Sequence, residues 1–225
     1  MPSFTSEKKE AGHNPYEAMK LYLSSYRLGD KPEQLVELLN DNKKVAVIPN
    51  ALDFSTDLAR REQSQKREFD DLKSIGLEAE ELDLRLYFGK EGELKKKIKE
   101  YGLVWVRGGN AFVLRQAMRQ SGLDEILREL SKGDDVVYGG YSAGVCIIGL
   151  TLRGVELVDD PTIVPDGYQK EIVWDGVGLV DFSFAPHYQS DHAESSAVDK
   201  MVDFYKKNAM PFRALKDGEV IIQTI

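Results

Sequence analysis

With 225 residues, 42% of them hydrophobic and 30% charged, the chain has the balance of one globular domain with material for a real core. Its net charge of -8 argues against a phosphate-backbone partner, and no apolar run approaches the roughly 20 residues of a membrane span. The single cysteine, Cys146, excludes an internal disulfide and a cysteine zinc cluster, which makes the cytoplasm the expected compartment.

Met1 to Ala18 is polar and without a sustained period, so it reads as an N-terminal extension, either a tag or a native tail. A single domain is expected from Met19, which also reads as a natural initiator, to Ile225. The run from Met19 to Ser24 predicts a strand, and Pro32 opens a helix to Leu39. Lys44 to Pro49 is a short apolar strand of the kind buried on both faces of a parallel sheet. A long charged helix follows over Ser55 to Ile75, then a strand over Leu77 to Leu82 and a helix over Glu91 to Tyr101. The basic run Lys95 to Lys97 sits among acidic neighbours and reads as a solvated helix face. Gly102 to Arg107 is a buried strand, and Asn110 to Gln120 and Leu123 to Lys132 are helices. Asp135 to Gly140 is a strand running into a glycine-rich turn, and Ala143 to Leu152 is the next helix.

Beyond Arg153 the pattern breaks. Val155 to Val180 predicts loops with a small hairpin, Val180 to Ala185 a strand, and Glu194 to Lys207 a helix. Phe212 to Ile225 reads as two strands around the turn Lys216-Asp217-Gly218. Alternating strands and helices imply an α/β fold, a mostly parallel sheet with helices on both faces.

Gly140-Tyr141-Ser142-Ala143-Gly144 has the form G-x-S-x-G, directly after a strand and before a helix. A turn that sharp forces the nucleophile into a strained backbone and needs small neighbours on both sides. Ser142 is then exposed at the start of the helix, and the Ala143 amide faces the place where an oxyanion forms. The bland alternative is a serine that caps a helix. One strand earlier, Arg107-Gly108-Gly109-Asn110 follows a strand and opens a helix at the same sheet edge, where ligands of open α/β sheets bind. A backbone amide there is a candidate second oxyanion donor. The spacings of phosphate-binding glycine motifs are absent.

Three histidines are available as the base. His13 lies in the extension, His192 in a polar loop, and His187 at a strand end, which favours His187. The orienting acid is open among Glu156, Asp159, Asp160, Asp166, Glu171, Asp175 and Asp181.

With these residues in place, the chain resembles the peptidase E (aspartyl dipeptidase) family of serine peptidases, which includes the cyanophycinases. The resemblance covers most of Met19 to Ile225. It rests on the turn Gly108-Gly109-Asn110-Ala111-Phe112, the elbow Gly140 to Gly144, Asp159-Asp160-Pro161 and Pro186-His187-Tyr188, in that order. It implies a class I glutamine-amidotransferase-like fold, a flavodoxin-like three-layer sandwich. It also implies Ser142 as nucleophile, His187 as base, and the amides of Gly109 and Ala143 as oxyanion donors. The acid falls on Asp159, or on Asp160 with a one-residue shift. Gly108, Asn110 and Arg107 are candidates for substrate contact. Ala111 stands where the family usually has threonine, and His187 to Met201 holds no arginine to meet an acidic side chain. Aspartate specificity is therefore not carried over.

The expected activity is serine-type hydrolysis of small peptides, as a dipeptidase or exopeptidase, through an acyl-enzyme. No cofactor or metal is implied, small peptides are the expected partners, nucleic acid and membrane are not, and a homodimer is left open. Two alternatives stand beside it. One is a catalytically silent binding domain of the same fold. The other is an α/β-hydrolase-type esterase, disfavoured because His187 follows Ser142 by only 45 residues.

Overall fold

The computed structural model describes residues 18–133 and 135–225. The expected extension and His13 therefore lie outside the described residues, Ala18 excepted. The order is β1 (Lys20–Ser24), α1 (Pro32–Leu38), β2 (Lys44–Ile48), α2 (Leu58–Ser74), β3 (Glu78–Glu81), α3 (Glu91–Ile98) and β4 (Leu103–Val106). It continues through α4 (Ala111–Ser121), α5 (Leu123–Leu130), β5 (Val137–Tyr141), α6 (Ala143–Cys146), β6 (Ser183–Ala185), α7 (Ser195–Lys207), β7 (Phe212–Ala214) and β8 (Val220–Thr224). Among the described residues, no helix is long and apolar enough to cross a membrane.

Six strands form one sheet in the order β3-β2-β4-β5-β1-β8. All its pairings are parallel except that of β8 with β1, which is antiparallel. Side chains alternate between two cores, as the two-residue strand period requires. On β4, Val104 and Val106 face the larger core, built with α3, α4, α5 and α7, while Leu103 and Trp105 face the smaller one under α1 and α2.

The topology decides where chemistry can gather. Parallel pairing brings the carboxyl ends of β1, β2, β4 and β5 to one edge, and Val106 pairs with Gly140 there. Because β8 runs the other way, its first residue, Val220, lies beside Ser24, the last of β1. The turn Lys216-Asp217-Gly218 that feeds β8 therefore arrives at that same edge.

The expected elements recur with their ends shifted by a few residues, apart from two regions. The helix after the elbow stops at Cys146 instead of Leu152. A β-carbon on Gly149 would lie 2.7 Å from the Phe182 carbonyl oxygen, so the backbone there packs against a neighbouring segment, and Thr151 forms a bridge with Asp175. The strand expected over Val180 to Ala185 shrinks to β6, which pairs in parallel with β7 in a separate two-stranded sheet. Between Val155 and Val180 a short 3-10 turn, Val155–Leu157, and the Thr151 bridge replace the expected hairpin.

Candidate active site

Ser142 has φ 52° and ψ -117°, a backbone conformation that side-chain-bearing residues rarely adopt. It is held there by close packing of two neighbouring turns. A β-carbon on Gly140 or Gly144 would lie 2.6 or 2.3 Å from the Val106 carbonyl oxygen, and one on Gly108 would lie 2.9 Å from the β-carbon of Ser142. Gly109, at φ 144°, would meet the Ala51 carbonyl at 2.4 Å. The Gly108-Gly109 turn therefore lies directly against the elbow, and Ala143 opens α6 beside it.

His187 reaches this edge from the other side. Its main chain is also left-handed, at φ 62°. The His187 amide donates to Ser25 Oγ at 2.8 Å, which pins the residue to the end of β1. The ring of Tyr26 packs edge-on against His187, with centroids 5.8 Å apart, and against Tyr141, at 6.2 Å. One aromatic side chain thus touches both the candidate base and the residue preceding Ser142.

The carboxylate on the His187 ring is that of Asp217, at 2.6 Å from Nδ1. Asp217 Oδ1 also accepts from the Ser25 hydroxyl at 3.0 Å, and the Asp217 amide donates to Ser190 Oγ at 2.8 Å. With Asp217 ionised, Nδ1 carries the proton and Nε2 keeps its lone pair. Asp217 follows His187 in the chain and so lies outside the interval between Ser142 and His187 from which the candidate acids come. The one signal available was the aspartate in the Lys216-Asp217-Gly218 turn.

Asp159 and Asp160 are bonded elsewhere. Asp159 Oδ2 accepts from the Ala111 amide at 2.8 Å, capping the start of α4, and Asp160 Oδ1 accepts from the amide and hydroxyl of Thr162. Asn110, expected to meet substrate, is instead spent at both ends. Its Oδ1 accepts from the amides of Phe112 and Val113, and its Nδ2 donates to the Asp160 carbonyl. Arg107 is buried, at 1% exposure, donates to Ser64 Oγ at 2.7 Å, and lies 3.4 Å from Glu68. The charge expected to face a substrate is thus turned into the smaller core.

Burial also sets the local acidities. It pulls the pKa of His187 below the ordinary 6.5; the Asp217 bond opposes this and the neighbouring His192 adds to it. Burial pushes Asp159 up to about 7, against the pull of the Ala111 amide and with the help of Glu194. Cys146 is buried, its thiol held well above the ordinary range by desolvation, with Sγ 3.9 Å from the Phe184 carbonyl. It lacks the thiolate character of a nucleophile.

His192 stacks on His187 with ring centroids 3.7 Å apart and planes 7° from parallel. His187, His192 and Glu194 bring potential ligand atoms within 4.8 Å of one another. In stacked rings, however, the in-plane lone pairs run side by side. A metal about 2.0–2.1 Å from both nitrogens would sit far out of each ring plane, so this arrangement does not fit zinc. A cavity of about 510 Å3 adjoins the site, with Gly109, Tyr26 and Glu194 on one side and Arg60, Ser64 and Arg67 of α2 on the other.

The family described as Peptidase family S51 matches residues 23–224. An uncharacterised peptidase of Listeria monocytogenes is 34% identical over 53% of this chain and 55% of its own. Peptidase E of Streptomyces coelicolor is 30% identical over 56% of this chain and 51% of its own. These matches span about half the length of those relatives. A crystal structure of a candidate peptidase E protein from Listeria monocytogenes superposes with a TM-score of 0.67 at 26% identity, over 92% of this chain and 99% of that one. A peptidase from an acI-B1 actinobacterium shares the fold, with a TM-score of 0.69 at 15% identity over 93% and 85% of the two chains. The fold is the class I glutamine-amidotransferase-like one.

Proposed function

The chain belongs to peptidase family S51, and from that premise we propose that it is a serine-type peptidase that hydrolyses small peptides, as a dipeptidase or exopeptidase. The observation that carries the reading is the 2.6 Å bond between His187 Nδ1 and Asp217, on a ring tied through Tyr26 to the strained elbow of Ser142.

The proposed steps follow from those groups. His187 Nε2 takes the proton of the Ser142 hydroxyl as its oxygen attacks the peptide carbonyl. The amides of Gly109 and Ala143 receive the oxyanion. Asp217 holds the tautomer and stabilises the imidazolium, which then gives its proton to the leaving amine. Water, activated by the same ring, releases the acyl group from Ser142. Asp217 takes the role first expected of Asp159.

A silent binding domain is less well supported, since it would have no use for a strained serine at the same sheet edge as a bonded His-Asp pair. The esterase alternative is likewise not favoured by the family match over residues 23–224. The cytoplasm is the proposed compartment, and residues 19–225 the proposed single domain. A fluorophosphonate tests the reading directly. It is expected to label the protein at Ser142, and Ser142→Ala is expected to abolish labelling with the melting temperature unchanged. Label retained by the variant would move the nucleophile elsewhere.

A further inference from the structure

Glu68 is a carboxylate with no assigned role, buried to 4% exposure on the inner face of α2. Its Oε1 accepts from Trp105 Nε1 at 2.6 Å and its Oε2 from the Tyr141 hydroxyl at 2.8 Å. The same Oε2 lies 3.4 Å from Nε of Arg107, whose Nη2 is bound to Ser64 one turn earlier on α2. Two of these three partners sit just before one half each of the oxyanion site. Arg107 precedes Gly108-Gly109, and Tyr141 precedes Ser142-Ala143. The two halves are in contact above it, because a β-carbon on Gly108 would lie 3.0 Å from the Tyr141 ring and 2.9 Å from Ser142.

A buried ion pair is poor value for stability alone, since apolar residues of like volume usually do as well. Its distinct property is direction: a carboxylate with fixed donors holds them at set positions. Here the donors come from two adjacent strands and the acceptor from the helix covering both. We infer that Glu68 is a positioning residue that sets the spacing of the Gly108-Gly109 turn and the Ser142-Ala143 elbow, and hence the alignment of the two oxyanion amides. The inference rests on the reading that the Gly109 and Ala143 amides receive the oxyanion.

The test is the kinetics of fluorophosphonate labelling, followed by intact-mass spectrometry well below each variant's melting temperature. Glu68→Gln keeps the size but puts an amide donor where an acceptor stood. A displacement of about 1 Å costs roughly 100-fold in rate, so kinact is expected to fall about 10- to 100-fold with KI within about twofold. Tyr141→Phe removes one bond and leaves the charge; it is expected to lower kinact by about 3- to 10-fold, again at constant KI. It keeps the test decisive if Glu68→Gln fails to fold. Normal kinact in the folded variants, with only a lower melting temperature, would overturn the inference and leave Glu68 a core residue. Ser142→Ala in the same assay keeps the two claims apart. Label that persists there breaks the underlying reading, whereas label lost there with normal kinact in the Glu68 and Tyr141 variants breaks this inference alone.

Discussion

The two halves of the proposed site are built on opposite principles. The nucleophile half is made of two turns at the ends of neighbouring strands, Gly108 to Asn110 and Gly140 to Gly144, and it works through side chains that are missing. Gly109, Gly140 and Gly144 let backbone approach backbone closer than any β-carbon allows, and Gly108 makes room for the Ser142 and Tyr141 side chains. The base half joins three segments that are distant in sequence, and it works through side chains that are present. Ser25, His187, Ser190 and Asp217 close a ring of hydrogen bonds between the end of β1, the loop after β6 and the turn before β8. The first half is therefore expected to fail by crowding, and the second by loss of a partner.

The largest effect sharpens the base half. Asp217→Asn is expected to lower turnover by about 10^3- to 10^4-fold with little change in KM, because the wrong tautomer of His187 then faces the serine. Asp159→Asn is expected to leave turnover within a few-fold, since that carboxyl caps α4. It carries a second, independent signature. A native pKa raised to about 7 from 3.8 means that the folded state keeps a proton the unfolded state has lost. The penalty is absent below the lower value and grows as pH rises to the upper one. Removing the carboxyl is thus expected to raise the melting temperature at pH 8 more than at pH 4. Full activity in Asp217→Asn, with a large loss in Asp159→Asn, would restore the acid expected from sequence.

A smaller effect probes the nucleophile half. Gly108→Ala sets a methyl against Ser142 and the Tyr141 ring, an overpacking that typically costs about 1–3 kcal/mol. A lower melting temperature together with slower fluorophosphonate labelling is expected. Labelling at the normal rate would mean that the two turns are not held in register by contact.

The smallest effect is a shift in a pH profile. The proposed base must be neutral to act, so activity is expected to be lost as pH falls through the pKa of His187. Burial lowers that pKa, which sets the acid limb below 6.5. Tyr26, Asp217, Glu194 and His192 face the ring or lie beside it, and His192 is the one whose charge opposes protonation. His192→Ala is expected to move the acid limb to higher pH while leaving the plateau rate nearly unchanged. A limb that stays in place would remove His192 from the electrostatics of the base.

The amino-acid sequence by itself determined the two glycine turns of the proposed nucleophile half. Strand, sharp turn and helix follow one another without a break, so Gly140 to Gly144 and Gly108 to Asn110 carry their own geometry, and the apolar runs of β1, β2, β4 and β5 announce the sheet. It also marked His187 as a strand-end residue. Only the tertiary structure decided that Arg107 faces Glu68 inside the smaller core, that Asn110 is a helix cap, and that the helix after the elbow ends at Cys146. It also decided which carboxylate meets the His187 ring. Asp217 belongs to an ordinary turn until β8 returns antiparallel to β1 and delivers that turn beside Ser25. The physical reason is range: a turn between adjacent elements is specified by the few residues that make it, whereas a bond across 30 residues of chain exists only once the sheet has closed.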